Sequence, residues 1–534
     1  MVRSLRLTTL PLLLSLALAC KSAPPPPPPP PPPEAAAPAP APAEPAAPAA
    51  PAPDPKVAKI QVVALSDFHG WLLPLEPKDF SRYYGGIANL AGMLEQKEKL
   101  RPETSLILDN GDMWTGPTES TLLRGESVIQ AYNAIGFSAA NIANHEFDFG
   151  AEVLRARTQE AKFPFLGANL MKAGTIEQPD FVKPFVILER DGVKVAVIGL
   201  SYVETPKTTL AKHVAGLEFK PYAETLKRVV PEVRAQGAEV IVLLFHDELP
   251  IVVQTLEPLQ DLGITAVVAG QNHRKEQAMV GITPVVNPGP FGRSYVRFDI
   301  SVDRATRKVI EVSKEIVDVT GEVGAPAFPP KPELVAITEG ARQKAKTLGD
   351  EPLGRLAKPL PVGTFQSSAL GNLVVDSWLS SLPNVEFAML NHGALRQPLP
   401  AGMVKVGDLM SVMPFENNLY VVTLTGAQVK SQLAIDGPVV GGLTYSFKVD
   451  AGRRVITSAV DKKGKPIADD QKYRVAILDF MYTGGDGFEF MKLDTAPVDT
   501  GLSWREPVMR TLRTAEATSR KVEPLTAPRA RQLK

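Results

Sequence analysis

The chain has 534 residues and a mass of 57.5 kDa, and three of its counts are unusual: 51 Pro, 6 His and 1 Cys. Formal net charge is zero, 58 basic residues against 58 acidic, which offers no basic footprint for nucleic acid. A single Cys excludes an intramolecular disulfide and any Cys-rich zinc or iron–sulfur site. With so few His, any metal site built from imidazole should draw on most of them.

Arg3 and Arg6 precede an almost wholly apolar run over residues 7–19, which ends at Ala17-Leu18-Ala19-Cys20. The run is shorter than the roughly 20 residues a membrane-spanning helix needs. It reads as the apolar core of a secretory signal peptide over residues 1–20. Its end resembles a bacterial lipoprotein lipobox, with Ala17 where that motif prefers Leu. The resemblance implies that Cys20 is lipidated and ties the chain to a membrane. Lys21 stands where an Asp would retain a lipoprotein at the inner membrane, so the expected location is extracytoplasmic, at the outer membrane. Pro24 to Pro33 is unbroken proline, and Ala and Pro dominate to Pro55. Residues 21–55 therefore read as a stiff polyproline II spacer, on the order of 100 Å at ~3.1 Å per residue.

Beyond the spacer the length suits two or three domains. Residues 59–66, 105–109, 139–143, 193–200, 240–245 and 265–269 read as buried strands, and 87–100 and 223–236 as helices between them. That alternation predicts an α/β fold. Gly and Pro cluster over 321–332, a charged helical connector follows over 333–349, and a second half begins near 350. There, 368–382 reads as a helix, and 419–424 and 473–478 as strands.

Ligands of α/β sheets bind beyond the carboxyl ends of strands. The residues following five of the strands are Asp67-Phe68-His69, Asp109-Asn110-Gly111-Asp112, Asn144-His145-Glu146-Phe147-Asp148, His246, and Gly270-Gln271-Asn272-His273. His69, His145, His246 and His273 are four of the six His. Oxygen donors mixed with imidazole suit two divalent first-row ions better than Ca or Mg alone. His213 follows no strand motif and is expected at the surface.

In order and content these motifs resemble the calcineurin-like metallophosphoesterases, and more narrowly the bacterial 5′-nucleotidase/UDP-sugar hydrolase family. The resemblance implies an N-terminal β-sandwich flanked by helices over residues 56–325. It implies that Asp67, His69 and His273 bind one ion, that Asp112 bridges, and that Asn144 and His246 bind the second. His145 would face the substrate, with Asp148 fixing its tautomer and keeping it cationic. Gln271 stands where the family places an imidazole of the second ion. Its amide oxygen favours Mn among the expected Mn, Zn or Co.

After residue 350 the resemblance continues into the family's substrate-binding domain, over 350–525. Leu370-Gly371-Asn372 matches a helix start, and Asn391-His392-Gly393-Ala394-Leu395-Arg396 a loop whose arginine holds substrate phosphate. Pro414-Phe415-Glu416-Asn417 and Gly484-Gly485-Asp486-Gly487-Phe488 match two further motifs. By resemblance Phe415 and Phe480 clamp a nucleobase, Asn417 bonds it, and Asp486 accepts from ribose hydroxyls. Residues 360–366 contain no Arg where many relatives hold phosphate with one or two, which weakens phosphate positioning. His392, in the same loop as Arg396, stands ready to replace part of that contact.

The expected protein is thus a lipid-anchored, two-domain hydrolase of extracytoplasmic nucleotides, with rotation about the connector bringing ions and base together and with no protein partner or nucleic acid. Alternatives are a dimetal hydrolase of another ester, such as a thiosulfate ester, and a surface nucleotide-binding protein that has lost catalysis.

Overall fold

Residues that alternate or run apolar in the first half end up in two six-stranded sheets laid face to face. The computed structural model describes residues 56–74, 82–322, 327–520, 522 and 526–533. The expected signal peptide, Cys20 and the spacer lie outside the described residues. The first sheet has the order Lys308–Asp318, Ser294–Asp303, Val57–Leu65, Ser105–Asp109, Ala139–Asn141, Phe165–Leu166. The second runs Lys275–Val280, Thr283–Pro288, Ala266–Val268, Val240–Phe245, Val193–Leu200, Phe185–Arg190.

Period-two alternation sorts each strand between two apolar environments. Ile60, Val62, Leu106, Leu108, Val197, Val242 and Leu244 meet between the sheets. Val63 and Leu65 point outward beneath the helices Ile87–Gln96 and Glu126–Ile135. Ile198, Leu200, Ile241 and Leu243 pack beneath Tyr222–Ala235 and Leu249–Leu256. Burial on both faces explains why the central strands read as continuous apolar runs. Each fully buried Val or Leu there contributes about 1.5–3 kcal/mol. The hairpin Ser294–Asp303/Lys308–Asp318 alternates apolar with charged residues at the sheet edge, so a search for continuous apolar runs passes over it. The α/β sandwich flanked by helices is as expected.

The central pairs Val57–Leu65/Ser105–Asp109, Ser105–Asp109/Ala139–Asn141 and Val240–Phe245/Ala266–Val268 are parallel. Their carboxyl ends therefore emerge on one edge of the sandwich, where the five motifs begin.

The helix Pro332–Gly349 packs against helices of the first half and against Val406–Val412 of the second. Its last residue crosses Gly407 so closely that a Cβ on Gly349 would sit 2.7 Å from the Gly407 Cα. Glycine at both positions lets the backbones touch. The second half holds a five-stranded sheet, in the order Val439–Gly441, Phe387–Leu390, Lys472–Leu478, Asn418–Thr425, Val498–Ser503. Its helix Ala369–Ser381 starts at Ser368, whose Oγ accepts the Gly371 N–H at 2.8 Å. Trp378 and Trp504 fill the core beside it, joined by a Trp378 Nε1–H bond to the Trp504 carbonyl at 3.0 Å. Among the described residues no helix is long and apolar enough to cross a membrane.

Candidate functional site

The strand-end loops turn sharply. Asp67, His69, Asp112, Gln271 and His273 all have φ between +48° and +73°, a left-handed conformation that costs a non-glycine residue roughly 1–2 kcal/mol. Buried hydrogen bonds hold it. The N–H groups of Asp67 and His69 donate to the carbonyls of Gly111 (3.0 Å) and Asp112 (2.8 Å). The buried Glu146 carboxylate accepts from the N–H of Asp112 (3.0 Å), Met113 (2.7 Å) and Ala143 (2.7 Å), tying two loops together. Burial and the neighbouring Asp112 raise its pKa to about 8, against the pull of those three donors.

Three histidines present the same edge to the centre. The Nδ1 of His69 lies 3.0 Å from the Thr115 carbonyl, that of His246 2.8 Å from the Asn110 carbonyl, and that of His145 2.7 Å from Asp148 Oδ2. An acceptor at Nδ1 makes that nitrogen the donor and leaves Nε2 to face inward. Ligand atoms of Asp67, His69 and His273 lie within 4.8 Å of one another, as do those of Asp67, Asp112 and His246, and of His69, Asp112 and His145. Asn144 Oδ1 and Gln271 Oε1 are buried without a hydrogen-bond partner, and His246 Nε2 lies 3.2 Å from Asp112 Oδ2 without hydrogen-bond geometry. Lone pairs converging in this way, with Asp112 shared between groups, fit divalent cations.

The electrostatics follow from that crowding. Burial disfavours charge on His246, but Asp112 and Asp67 outweigh it and push its pKa up to about 10. Burial likewise opposes charge on His145, yet Asp148 and Asp112 raise it above the ordinary imidazole value. His69 is held well below that value by burial first, then by Arg396 and His273.

Beside the centre opens a cavity of about 170 Å³. Asn144, His145, Asp148 and Gln271 line it from the sandwich, and Asn391, Arg396, Phe415, Asn417, Phe480 and Asp486 from the second half. In this conformation, therefore, the strand-end loops and the expected base pocket already share one cavity. The Phe415 ring lies 6.0 Å from the His145 ring at 23°, and the Arg396 guanidinium carbon 5.9 Å from the Phe415 centroid. Phe480 lies flat on Gly485, where a Cβ would come within 2.4 Å of its Cζ, so only glycine admits the ring. Asn391 Nδ2 donates to Asp486 Oδ2 at 2.7 Å, and Asn417 Nδ2 to Asp479 Oδ1 at 2.9 Å. Burial raises Asp486 to about 6, with the Asn391 bond opposing.

Two expectations need correction or refinement. His213 is buried and lines the cavity, not the surface. It sits in a single 3-10 turn, Ala211–Val214, with no strand before it, so reading strand ends cannot find it. The neighbouring Thr208 and Thr209 reach the cavity in the same way. His392 turns its Nε2 to the Gly363 carbonyl at 3.2 Å and does not line this cavity. Glu146 was visible inside its motif, but its role as a clamp depends on backbone groups distant in sequence.

Residues 352–493 match the sequence model of the 5′-nucleotidase C-terminal domain. The cell wall protein Lmo0130 of Listeria monocytogenes is 25% identical over 81% of this chain, which spans 64% of that protein's length. The protein UshA of Escherichia coli is 26% identical over 84% of this chain and 89% of its own. A crystal structure of the 5′-nucleotidase precursor from Thermus thermophilus superposes with a TM-score of 0.76 at 23% identity, covering 89% of this chain and 99% of that one. The fold, the strand-end motifs and these matches support a relationship to the 5′-nucleotidase/UDP-sugar hydrolase-like family.

Proposed function

We propose that the chain is an extracytoplasmic metal-dependent phosphohydrolase that removes phosphate from nucleotides. The observation that carries this reading is the convergence of unpartnered donor atoms of Asn144 and Gln271, with His246 Nε2, around Asp112, at the head of a cavity whose far wall holds Phe415 and Phe480. Asp67, His69, Asp112, Asn144, His246, Gln271 and His273 would hold two divalent ions. When bound, these would activate a water and neutralise charge on the phosphoryl oxygens.

The remaining work falls to the chain's own groups. Asp148 at Nδ1 fixes the His145 ring and favours its cation, so its Nε2–H can donate to a phosphoryl or leaving oxygen. Arg396 supplies a permanent charge for phosphate between the two halves. Stacking on Phe415 and Phe480 would hold any base, because every base has a π-face, while Asn417 and Asp486 orient it. Lipidation at Cys20 and the spacer would keep this activity at the outer membrane; palmitate labelling of wild type but not Cys20→Ala tests the anchor.

The activity is tested by phosphate release from AMP, UDP-glucose, cyclic AMP and bis(p-nitrophenyl) phosphate, each with Mn, Co or Zn. Release from a nucleotide, highest with Mn, is expected. No release from any of them, with adenosine still raising the melting temperature, would instead identify a nucleotide-binding surface protein.

A further inference from the structure

The segment Pro414-Phe415-Glu416-Asn417 carries two of the residues expected to hold a base, yet it belongs to no helix or strand. It joins the helix Val406–Val412 to the strand Asn418–Thr425, so its shape depends on what grips it from outside. Two consecutive residues about 90 positions later do so. The pairing of Asn418 with Ser503 extends by one bond, the Trp504 N–H donating to the Asn417 carbonyl at 3.2 Å. The Trp504 Nε1–H donates to the Phe415 carbonyl at 2.8 Å. Arg505 Nη2 donates to that same carbonyl and, at 3.4 Å, to the carbonyl of Pro414. Its Nη1 lies against Met410 Sδ, in the helix that precedes the loop.

Both residues are themselves fixed. The Trp504 indole is fully buried, and its carbonyl accepts the Trp378 Nε1–H. Arg505 is partly buried at the start of the helix Glu506–Ala517, and its Nε is enclosed without a partner. The nearby carboxylate that favours its charge is Glu416, but Glu416 forms its ion pair with Arg124 of the first half, at 3.4 Å. A guanidinium spent on main-chain carbonyls and not on a carboxylate is a poor source of stability. It is well suited to fixing geometry, because its planar fork holds several acceptors at once.

We propose that Trp504 and Arg505 are positioning residues for the substrate: by holding the carbonyls of Pro414, Phe415 and Asn417 on one side, they set the angle at which the Phe415 ring meets a base and the place of the Asn417 amide. Phe415 and Asn417 line the cavity and Trp504 and Arg505 do not, so the effect passes through the loop. The inference rests on the hydrolase reading above and adds to it two residues that touch no substrate.

The test compares a substrate with a base and one without. Arg505→Met keeps much of the stem but removes the donors. It should raise KM for AMP about tenfold, with kcat and the kinetics toward ribose 5-phosphate nearly unchanged. Arg505→Lys should restore part of the loss, and Trp504→Phe, which keeps the packing, should shift KM in the same direction by less. In a Phe415→Ala background Arg505→Met should add about twofold at most, since the ring it positions is gone. Calorimetric titration of the Mn-loaded protein with adenosine should show the same weakening without turnover. Equal losses on AMP and ribose 5-phosphate would overturn the proposal, as would a fall in kcat at constant KM or full additivity with Phe415→Ala. Should Arg505→Met not fold, an unchanged KM for AMP in both Arg505→Lys and Trp504→Phe would overturn it equally. Failure of the hydrolase reading looks different: wild type releases phosphate from neither substrate, while adenosine still binds more weakly to the variants.

Discussion

The strand-end loops and the second-half wall of the cavity are built by opposite means. In the first, the backbone does the positioning: five donor-bearing residues sit in left-handed conformations, locked by loop-to-loop N–H bonds and the Glu146 clamp. In the second, side chains hold side chains: Asn391 on Asp486, Asn417 on Asp479, Arg396 against Phe415. Phe415 and Asp486 come from a loop and a single turn, whereas Phe480 closely follows the strand Lys472–Leu478. A centre positioned by backbone tolerates little change, whereas a wall positioned by side chains can be retuned one residue at a time. Reaction chemistry should therefore reside in the first region and substrate choice in the second.

Four measurements can break or sharpen that division. His145→Asn should lower kcat by about 10²- to 10⁴-fold with the melting temperature unchanged; an unaltered kcat would remove His145 from the reaction. Glu146→Ala strands three buried N–H groups at about 1–3 kcal/mol each. A loss of several kcal/mol in urea unfolding is expected, and a shift below 1 kcal/mol would show that the loops do not depend on the clamp.

Phe415→Ala should raise KM for nucleotides by about 5- to 150-fold, from stacking worth roughly 1–3 kcal/mol, with a smaller effect on kcat. A fall in kcat at constant KM would mean that the ring serves His145, 6.0 Å away, and the regional division would fail. The smallest effect concerns pH. Asp486, raised to about 6 by burial, carries a proton below that value and then accepts fewer hydroxyl bonds. KM should climb up to tenfold per unit as pH falls below about 6, and Asp486→Asn should flatten that limb. Its stability linkage has the opposite sense: the folded chain binds the proton more tightly, so stability from this group declines as pH rises from about 4 to 6. An identical KM profile in wild type and variant would exclude Asp486 as the titrating group.

The candidate metal ligands were legible because each follows a buried apolar strand by a few positions, and strand direction alone brings such positions to one edge. The motif after residue 143 packs Asn144, His145 and Asp148 into one turn, so local geometry already assembles the His145–Asp148 pair. His213 was not legible, because a one-turn helix between longer elements has no periodicity to read. Trp504 and Arg505 were equally silent: they stand about 90 positions after the loop they hold, and only folding brings them against it.

By itself, then, the chain's order of apolar runs and polar strand ends determined an α/β sandwich with a cluster of candidate metal ligands at one edge, since both follow from periodicity and chain direction. Tertiary structure alone decided that the second half closes on that cluster, that Trp504 and Arg505 grip the Phe415 loop, and that His213 turns inward. Those features depend on contacts between residues far apart in sequence, where packing and not local pattern sets the geometry.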